Sequence, residues 1–496
     1  MSQHAPRTAV IGGGLAGMAA AVALTQHGLA VELFEARRSL GGRATSYHDA
    51  GAAEVVDHCQ HVSMGCCTNL RDFCRRVGID PLLRRDETLS FIAPDGRQYR
   101  FAATPGIPAP LHLAQGLWKL GYLSRAERLS IGRALLDLAR EPATRDDEPT
   151  IGDWLRRHGQ TERAIEQFWS LVLVSALSET VDRAGLRYAR KVFVDGMMAH
   201  REGYTIEVPT VALDQLYGDS LLAWFARHGA RARMECPVTQ INPAADGRIA
   251  LTMKGGAPES FDYVVLATPW RRAAELLRDI EPLAPVMAAI SRLEAAPITG
   301  VHLWFDRPIT TLPHAVLVGR LSQWLFRRAV HASEDSMTKS REAGGHYYQV
   351  VISASRALKQ QDRDTTLSQV VKDLREVFPA AREARLLRQR LVTEREAVFS
   401  PLPGVDRLRP AQQTPVDNLF LAGDWTATGW PATMEGAVRG GYLAAEALLA
   451  RLGRPQNLLV PDLPPSWIMR RLTGRTNGRN SAPADPAQIV AAPPPE

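Results

Sequence analysis

Thr8-Ala9-Val10-Ile11, Gly12-Gly13-Gly14-Leu15-Ala16-Gly17, an apolar run to His27-Gly28, and then Ala30-Val31-Glu32-Leu33-Phe34-Glu35 form the stretch on which the fold turns. The first four residues have the character of a short buried strand. Leu15 to His27 predicts a helix that Gly28 stops, and Ala30 to Glu35 predicts a second strand. Strand, glycine turn, helix and strand make a β-α-β unit, whose parallel strands belong to a doubly wound α/β sheet. The glycines match G-x-G-x-x-G, a pattern with little specificity alone and much more between a strand and a helix. They permit a tight turn and let backbone N–H groups approach a pyrophosphate at the helix N-terminus. Glu35, ending the second strand, can accept hydrogen bonds from an adenosine ribose. Gly12, Gly14, Leu15, Ala16, Gly17 and Glu35 are therefore expected to hold a dinucleotide.

Working outward, Glu35-Ala36-Arg37 leads to Gly41-Gly42-Arg43. A glycine pair flanked by arginines suits close backbone approach and charge pairing with a diphosphate. Some 400 residues later, Asn418-Leu419-Phe420-Leu421-Ala422-Gly423-Asp424 predicts a strand ending in Gly-Asp, and Met434-Glu435-Gly436-Ala437 opens a helix. These three elements, in this order, resemble the FAD-dependent amine oxidase and carotenoid desaturase superfamily. The resemblance implies a Rossmann-like FAD-binding domain with an interleaved mixed α+β substrate domain. It implies that Asp424 beside Gly423 holds the ribityl chain, and that the helix from Met434 directs its N-terminus at the flavin N1/C2 carbonyl edge. There a positive helix end would stabilise an anionic reduced flavin. It also implies FAD contacts for Ala36, Arg37, Gly42, Arg43 and Gln60, with Val238 beside the adenine. Asp262 to Pro269 resembles the strand that returns to the same sheet. The chain contains no second G-x-G-x-x-G and no cysteine near Gly423–Gly436, so the FAD is expected to be noncovalent and no separate NAD(P)H domain is expected.

Asp57-His58-Cys59-Gln60-His61-Val62-Ser63-Met64-Gly65 narrows the resemblance, over about residues 7–450, to the hydroxysqualene dehydroxylase group, with Cys59 where that group has glycine. Phe168-Trp169 and Tyr188 to Gly196 are similar to some of its members. The resemblance implies reduction of hydroxysqualene to squalene, a hopanoid precursor, with hydride from reduced FAD and a hydrophobic isoprenoid substrate. An acid would protonate the allylic hydroxyl, and a dry cavity would protect the resulting cation from water. His61 is the first candidate for that acid because of its motif, and Glu179 the second. A core histidine is the bland reading of His61. A carotenoid desaturase runs the hydride the other way and is the nearest alternative; an amine oxidase fits the apolar helices less well. A prenyl-lipid-binding protein of the Rab GDP-dissociation-inhibitor type shares the fold without the flavin chemistry. The electron donor is not identified by the sequence.

Composition narrows the class further. The 496 residues allow two or three domains, and 45% apolar with 23% charged residues is ordinary for a globular chain. A formal charge of +6 spread over this length does not indicate nucleic-acid binding. The five cysteines, Cys59, Cys66, Cys67, Cys74 and Cys236, contain no C-x-x-C, so neither a zinc site nor any other metal site is expected, and an odd, sparse set suits a reducing compartment. With no 18-residue apolar run and no signal-peptide pattern, a cytoplasmic protein is expected.

Three units are expected along the chain. Residues 1–100, 205–270 and 415–452 would form the FAD-binding domain, residues 101–204 and 271–414 the substrate domain, and residues 453–496 a proline-rich, mostly disordered tail. Strand signals recur near Ala232–Gln240, Ile249–Lys254 and His302–Phe305, and a helix is expected at Thr366–Val377. Helices are predicted at Leu111–Leu120 and Arg125–Ala139, the second opened by a Ser124/Glu127 capping box. Asp146-Asp147-Glu148-Pro149 reads as a solvated linker. Leu111, Leu113, Leu117, Trp118, Leu129, Leu135, Leu136 and Leu138 give the Pro105–Arg140 region an apolar side. Core packing explains it; so does an amphipathic access surface peripheral to the cytoplasmic membrane, with Trp467 to Leu472 as a weak second anchor.

Overall fold

The computed structural model describes residues 5–49, 54–142, 148–327 and 345–474. The opening unit folds as its sequence dictates. Strand Arg7–Ile11 runs into helix Leu15–Gln26, and strand Ala30–Phe34 returns parallel to the first, with Ile11 opposite Phe34. A five-stranded parallel sheet grows from this pair in the order Arg231–Arg233, Ala30–Phe34, Arg7–Ile11, Tyr263–Leu266, Leu419–Leu421. Its strands are drawn from both ends and the middle of the chain. The first helix is buried on every side from Leu15 to Leu24, which explains its lack of amphipathic pattern. Its small residues let helix Met434–Arg451 lie directly on it. A side chain at Gly441 would sit 2.2 Å from the Ala16 carbonyl oxygen, so only glycine allows this contact.

A second, seven-stranded sheet has the order Leu386–Phe399, Ala295–Phe305, His346–Ile352, Trp324–Arg327, His314–Leu317, Thr88–Ile92, Gln98–Ala102. Side-chain alternation gives it two different faces. Val301, Leu325 and Val350 pack against Leu367, Val370 and Leu374 of helix Arg363–Val377. The opposite face carries Val351, Trp324 and Val316 and looks into a cavity roofed by the helical segment 165–198.

Several sequence expectations need correction. The strands Thr88–Ile92 and Gln98–Ala102, expected with the dinucleotide-binding part of the chain, pair into the seven-stranded sheet. The expected helix at Leu111–Leu120 is a 3₁₀ turn at Leu111–Leu113 followed by one short α-helical turn at Ala114–Trp118. The capping box at Ser124 and Glu127 forms as expected at the head of helix Arg125–Arg140. Asp146 and Asp147 lie outside the described residues. Glu148 is not a free linker residue, because its carboxylate accepts hydrogen bonds from the Arg187 and Gly404 N–H groups at 2.6 and 3.2 Å.

The tail departs most from its composition. Residues 454–474 form a strap that crosses from the first sheet's helices to the roof of the cavity, while residues 475–496 lie outside the described part. Glu446 accepts from the N–H groups of Leu458 and Leu459, and Asn69 accepts from that of Val460. Asp462 joins Lys191 and Arg439, and helix Trp467–Thr473 buries Met469 completely. Polar anchors distributed along the strap do what its sparse apolar residues could not.

Candidate functional site

One cavity of about 800 Å³ runs from the glycine turn to the seven-stranded sheet. At its dinucleotide end, Gly12 has φ +109°, and a side chain there would meet the Ala267 carbonyl oxygen at 2.8 Å. The following helix has Gly14 as N-cap, no side-chain cap and no acid in its first turn. Its first N–H groups are thus left for an anion from outside the chain. The Gly41 N–H donates to the Gly13 carbonyl at 2.8 Å, and Gly42, at φ +62°, lies close against Gly14. The two glycine motifs therefore make one cradle. Glu35 sits beside it, nearly buried, accepting from the Gly13 N–H at 2.7 Å and the Arg37 N–H at 2.8 Å. Leu15, Ala16, Ala36, Arg37, Val238, Gly423, Asp424 and Met434 all line the same wall. A glycine cradle, uncapped helix N–H groups and a carboxylate at the strand end match the donor set that a dinucleotide needs.

Arg43 and Asp424 meet across the cavity wall, Nη2 to Oδ1 at 2.8 Å, and Arg43 Nη1 also donates to the Ala397 carbonyl at 2.5 Å. Burial opposes the guanidinium charge, but the Asp424 carboxylate outweighs it and raises the Arg43 pKa. Behind Asp424 lies Arg409, wholly buried, which donates to the Asp424 carbonyl, to Thr428 and to the Tyr188 hydroxyl. Nothing in the local sequence marks Arg409, because each of these partners is distant or part of a loop. Thr433 caps the helix that begins at Met434 by accepting from the Gly436 N–H at 3.1 Å. Glu435 is consumed structurally. It accepts from the Asn69 and Leu70 N–H groups at 3.1 and 2.7 Å and from Arg439 at 2.7 Å.

Gln60 and His61 line the cavity. His61 Nδ1 is 2.9 Å from the Cys59 carbonyl oxygen, which can only accept, so Nδ1 carries the proton and Nε2 of the neutral ring is an acceptor. Burial, with Arg43 and His58 nearby, lowers the His61 pKa below the ordinary imidazole value. Glu179 is in a different position. It is fully buried, accepts from Arg356 at 2.6 Å, from Ser400 and from the Thr180 N–H, and does not line the cavity. Burial alone would raise its pKa, yet Arg356 and Ser400 hold it below the usual glutamate range. The structure thus places Glu179, the second candidate acid, in a buried ion pair with Arg356 rather than on the cavity wall.

The cavity's carboxylates are Glu35, Glu394, Asp424 and Glu435, which belong to its dinucleotide end. Beyond them the wall is apolar. Phe168, Leu171, Val172, Ser175 and Ala176 form a roof stripe at helical spacing. The floor is the row Val351, Trp324, Val316 and Phe91 on adjacent strands, with Val392 lining the dinucleotide side. Gly300, between Val392 and Val351, is covered on this face by the His58 carbonyl oxygen, which a side chain there would meet at 2.9 Å. Trp324 Nε1 donates to Ser175 Oγ at 2.7 Å and ties floor to roof. Lys191, unmarked in the sequence, also lines the wall. Its ammonium is 3.1 Å from Asp462 and 4.6 Å from the centre of the Trp430 ring. Among the described residues no group of His, Cys, Asp and Glu is placed to hold a metal, and no helix is long and apolar enough to cross a membrane.

Comparison with known proteins agrees with this geometry. A family model described as flavin containing amine oxidoreductase matches residues 15–449. Hydroxysqualene dehydroxylase of Rhodopseudomonas palustris is 28% identical over 453 residues, covering 89% of this chain and 98% of that protein. Zeta-carotene desaturase of Synechocystis is 24% identical, covering 92% and 99%. Among solved structures, cyclohexylamine oxidase from Brevibacterium oxydans superposes with a TM-score of 0.66 at 18% identity, covering 91% of this chain and all of that one. An oxidoreductase from Methanosarcina mazei gives 0.67 at 17% identity, covering 88% and 99%. These structural likenesses concern the fold, whereas the family match runs from the first helix to the last helix that packs on it and takes in most of the cavity lining. The chain therefore belongs to the flavin-containing amine oxidoreductase family and is a flavin-dependent oxidoreductase.

Proposed function

We propose that the chain binds FAD noncovalently and reduces hydroxysqualene to squalene. The observation that carries this reading is the continuity of the dinucleotide cradle with an apolar chamber that has no carboxylate of its own. Similarity to hydroxysqualene dehydroxylases supports the same substrate class. Gly12, Gly14 and Gly42 would cradle the diphosphate, with Gly17 packed against the Gly12 carbonyl so that the turn can close. Glu35 would hold the adenosine ribose, Asp424 the ribityl chain, and the Met434 helix terminus the pyrimidine edge. Reduced FAD would supply the hydride. The wall cysteines do not favour a covalent link: burial and Asp57 push the Cys59 thiol up to about 12, and contact with Cys66 together with burial raises Cys67 well above its ordinary value.

The chain's own residues perform the rest. His61, anchored through Nδ1, would carry the mobile proton on Nε2 and deliver it to the leaving hydroxyl. The aliphatic and aromatic floor and roof exclude water that would recapture an allylic cation. Leu111, Trp118, Leu129 and Trp467 are between 49% and 65% exposed, on segments that pack together around helix Arg125–Arg140. Lys119, Arg125, Arg128, Arg470 and Arg471 stand among them. This face would rest on an anionic membrane surface and admit the hydrocarbon.

Anaerobic incubation of the flavin-reduced protein with hydroxysqualene, followed by hydrocarbon analysis, tests the reaction. Squalene is the expected product. Absence of squalene, with desaturation of phytoene by the oxidised protein, would replace this reading with the carotenoid desaturase one. A colourless purified protein would instead favour lipid binding without catalysis.

A further inference from the structure

We propose that Ser178 and Ser353 hold the hydroxyl of the substrate where the apolar chamber meets the dinucleotide cradle, a proposal that rests on reading the chamber as the site of an isoprenoid alcohol. The two serines line the cavity from opposite sides, Ser178 at the end of roof helix Ser170–Leu177 and Ser353 just past strand His346–Ile352. Two bonds fasten roof to sheet around them. Trp324, opposite Val351, donates to Ser175 at 2.7 Å, and Arg356 donates to Glu179 at 2.6 Å. Ser178 lies between Ser175 and Glu179, and Ser353 between Val351 and Arg356, so both serines belong to one short stretch of the cavity. Continuing the register of Thr299 with Ile352 by one residue sets Ser353 beside Ile298, which stands opposite Glu394. Ile298 and Glu394 line the cavity too, and Glu394 belongs to its dinucleotide end.

Neither hydroxyl has a partner. Ser353 commits its N–H and its carbonyl to Gln323, at 2.8 and 3.1 Å, and the Ser178 N–H donates to the Val174 carbonyl at 2.8 Å. Both side chains are left without a hydrogen bond among the described residues, although Ser178 is 4% and Ser353 5% exposed. Neither hydroxyl is sealed into the packed interior, so the exposure that remains is to the cavity. A hydroxyl in such a place is unfavourable unless a group from outside completes it. The backbone is strained at the same place. Ser178, at φ +54°, and Ala354, at φ +52°, are two of the three non-glycine residues with positive φ among the described residues. Glycine makes a helix end of this shape most easily, so the Ser178 hydroxyl is carried at a steric cost. A serine hydroxyl both donates and accepts. One serine can donate to an alcohol oxygen while the alcohol's own proton goes to the other, a pairing that orients the C–O bond. A hydrocarbon makes neither contact and leaves both hydroxyls unpaired, so the site favours the alcohol.

The test titrates oxidised, flavin-loaded protein anaerobically with hydroxysqualene and with squalene, binding being read from the perturbation of flavin absorbance. The quantity compared is the ratio of the two dissociation constants. Ser178→Ala and Ser353→Ala should each shift that ratio towards squalene by about three- to tenfold, mainly by weakening the alcohol, and the double variant should shift it further. Ser178→Gly, which suits the left-handed backbone, should match Ser178→Ala and serves if that variant does not retain flavin. An unchanged ratio, as expected if an ordered water fills the niche, would overturn the proposal, and so would an equal loss for both ligands. Conversion of hydroxysqualene by the flavin-reduced, unsubstituted protein is measured separately. A shifted ratio without conversion assigns the alcohol site and removes only the dehydroxylation reading. Conversion with an unshifted ratio removes the site and leaves that reading in place.

Discussion

The Arg43 guanidinium lies 2.8 Å from the Asp424 carboxylate, joining the second glycine motif to a strand end 381 residues later in the chain. Asp424 is 2% exposed, so the pair is partly desolvated and Asp424 depends on it. Removing the arginine leaves a buried carboxylate without its partner, which costs about 3–5 kcal/mol when burial is complete and less where solvent reaches the guanidinium. Arg43→Met should therefore lower both the melting temperature and the flavin content. Asp424→Asn removes the charge from the buried side and should weaken flavin retention with a smaller loss of stability. Unfolding curves with and without added FAD separate the two effects.

Glu179 should prove a structural residue. Glu179→Gln keeps the shape but leaves Arg356 without a charged partner, at a cost of about 1–3 kcal/mol because that arginine is partly solvated. Flavin content and kcat should not change. The glutamate pKa is depressed in the folded protein, so its contribution is present above the unfolded value near 4.5 and disappears as pH falls through the folded value. Denaturant curves at pH 7 and pH 4 should show the gap between the two proteins narrowing in acid. A large kcat defect with full flavin content would restore Glu179 as a candidate acid.

These two sites show what the sequence could reveal. Gly12 to Glu35 was legible because strand, turn, helix and strand are contiguous and each obeys a local rule. The meeting of Arg43 with Asp424, of Glu179 with Arg356 and Ser400, and of Lys191 with Asp462 depends on side chains brought together from 177 to 381 residues apart. No periodicity carries that information. The strap at residues 454–474 was not legible for a related reason. Its composition is that of a disordered segment, but Asn69, Glu446 and Arg439 lie in wait for its backbone and for Asp462.

The strap should accordingly matter for stability and for the cavity wall. Asp462 is shared by Lys191 and Arg439, and both cations pack on the Trp430 ring, at 4.6 and 4.8 Å. Asp462→Ala should cost about 1–2 kcal/mol, a figure limited by the carboxylate's 38% exposure. Truncation after Gly453 should cost more, because it also uncovers the contacts of Met469. Thermal unfolding measures both, and the tryptophan emission of a Trp430→Phe partner series reports whether the wall itself has moved.

Membrane association should depend on the exposed apolar residues. Trp118→Glu combined with Trp467→Glu replaces two half-exposed indoles, each worth about 1.5–3 kcal/mol when buried in a lipid interface. Sedimentation with vesicles containing anionic lipid should show at least tenfold weaker binding for the double variant, while flavin content stays unchanged. High salt should weaken the unsubstituted protein's binding only in part, because apolar burial is not screened. Equal recovery of both proteins in the supernatant would remove the membrane from the functional reading.

The pH dependence of turnover provides the sharpest test of His61. Its neutral tautomer donates Nδ1–H to the Cys59 carbonyl, so Nε2 must first gain a proton before the ring can act as an acid. Burial, Arg43 and His58 lower its pKa below 6.5, so the protonated fraction at pH 7 is small and grows as pH falls. If this proton reaches the leaving hydroxyl, kcat should rise from pH 8 towards pH 6 and level off only below the ordinary histidine value. The same shift acts on folding with a defined sign. The unfolded chain binds this proton more readily, so stability should decline as pH drops below 6.5, and activity and stability should move in opposite directions. His61→Gln should abolish the rise in kcat and lower it about 10²–10⁴-fold while flavin remains bound. A His61→Gln protein that keeps the pH profile of its parent would place the acid elsewhere in the cavity wall.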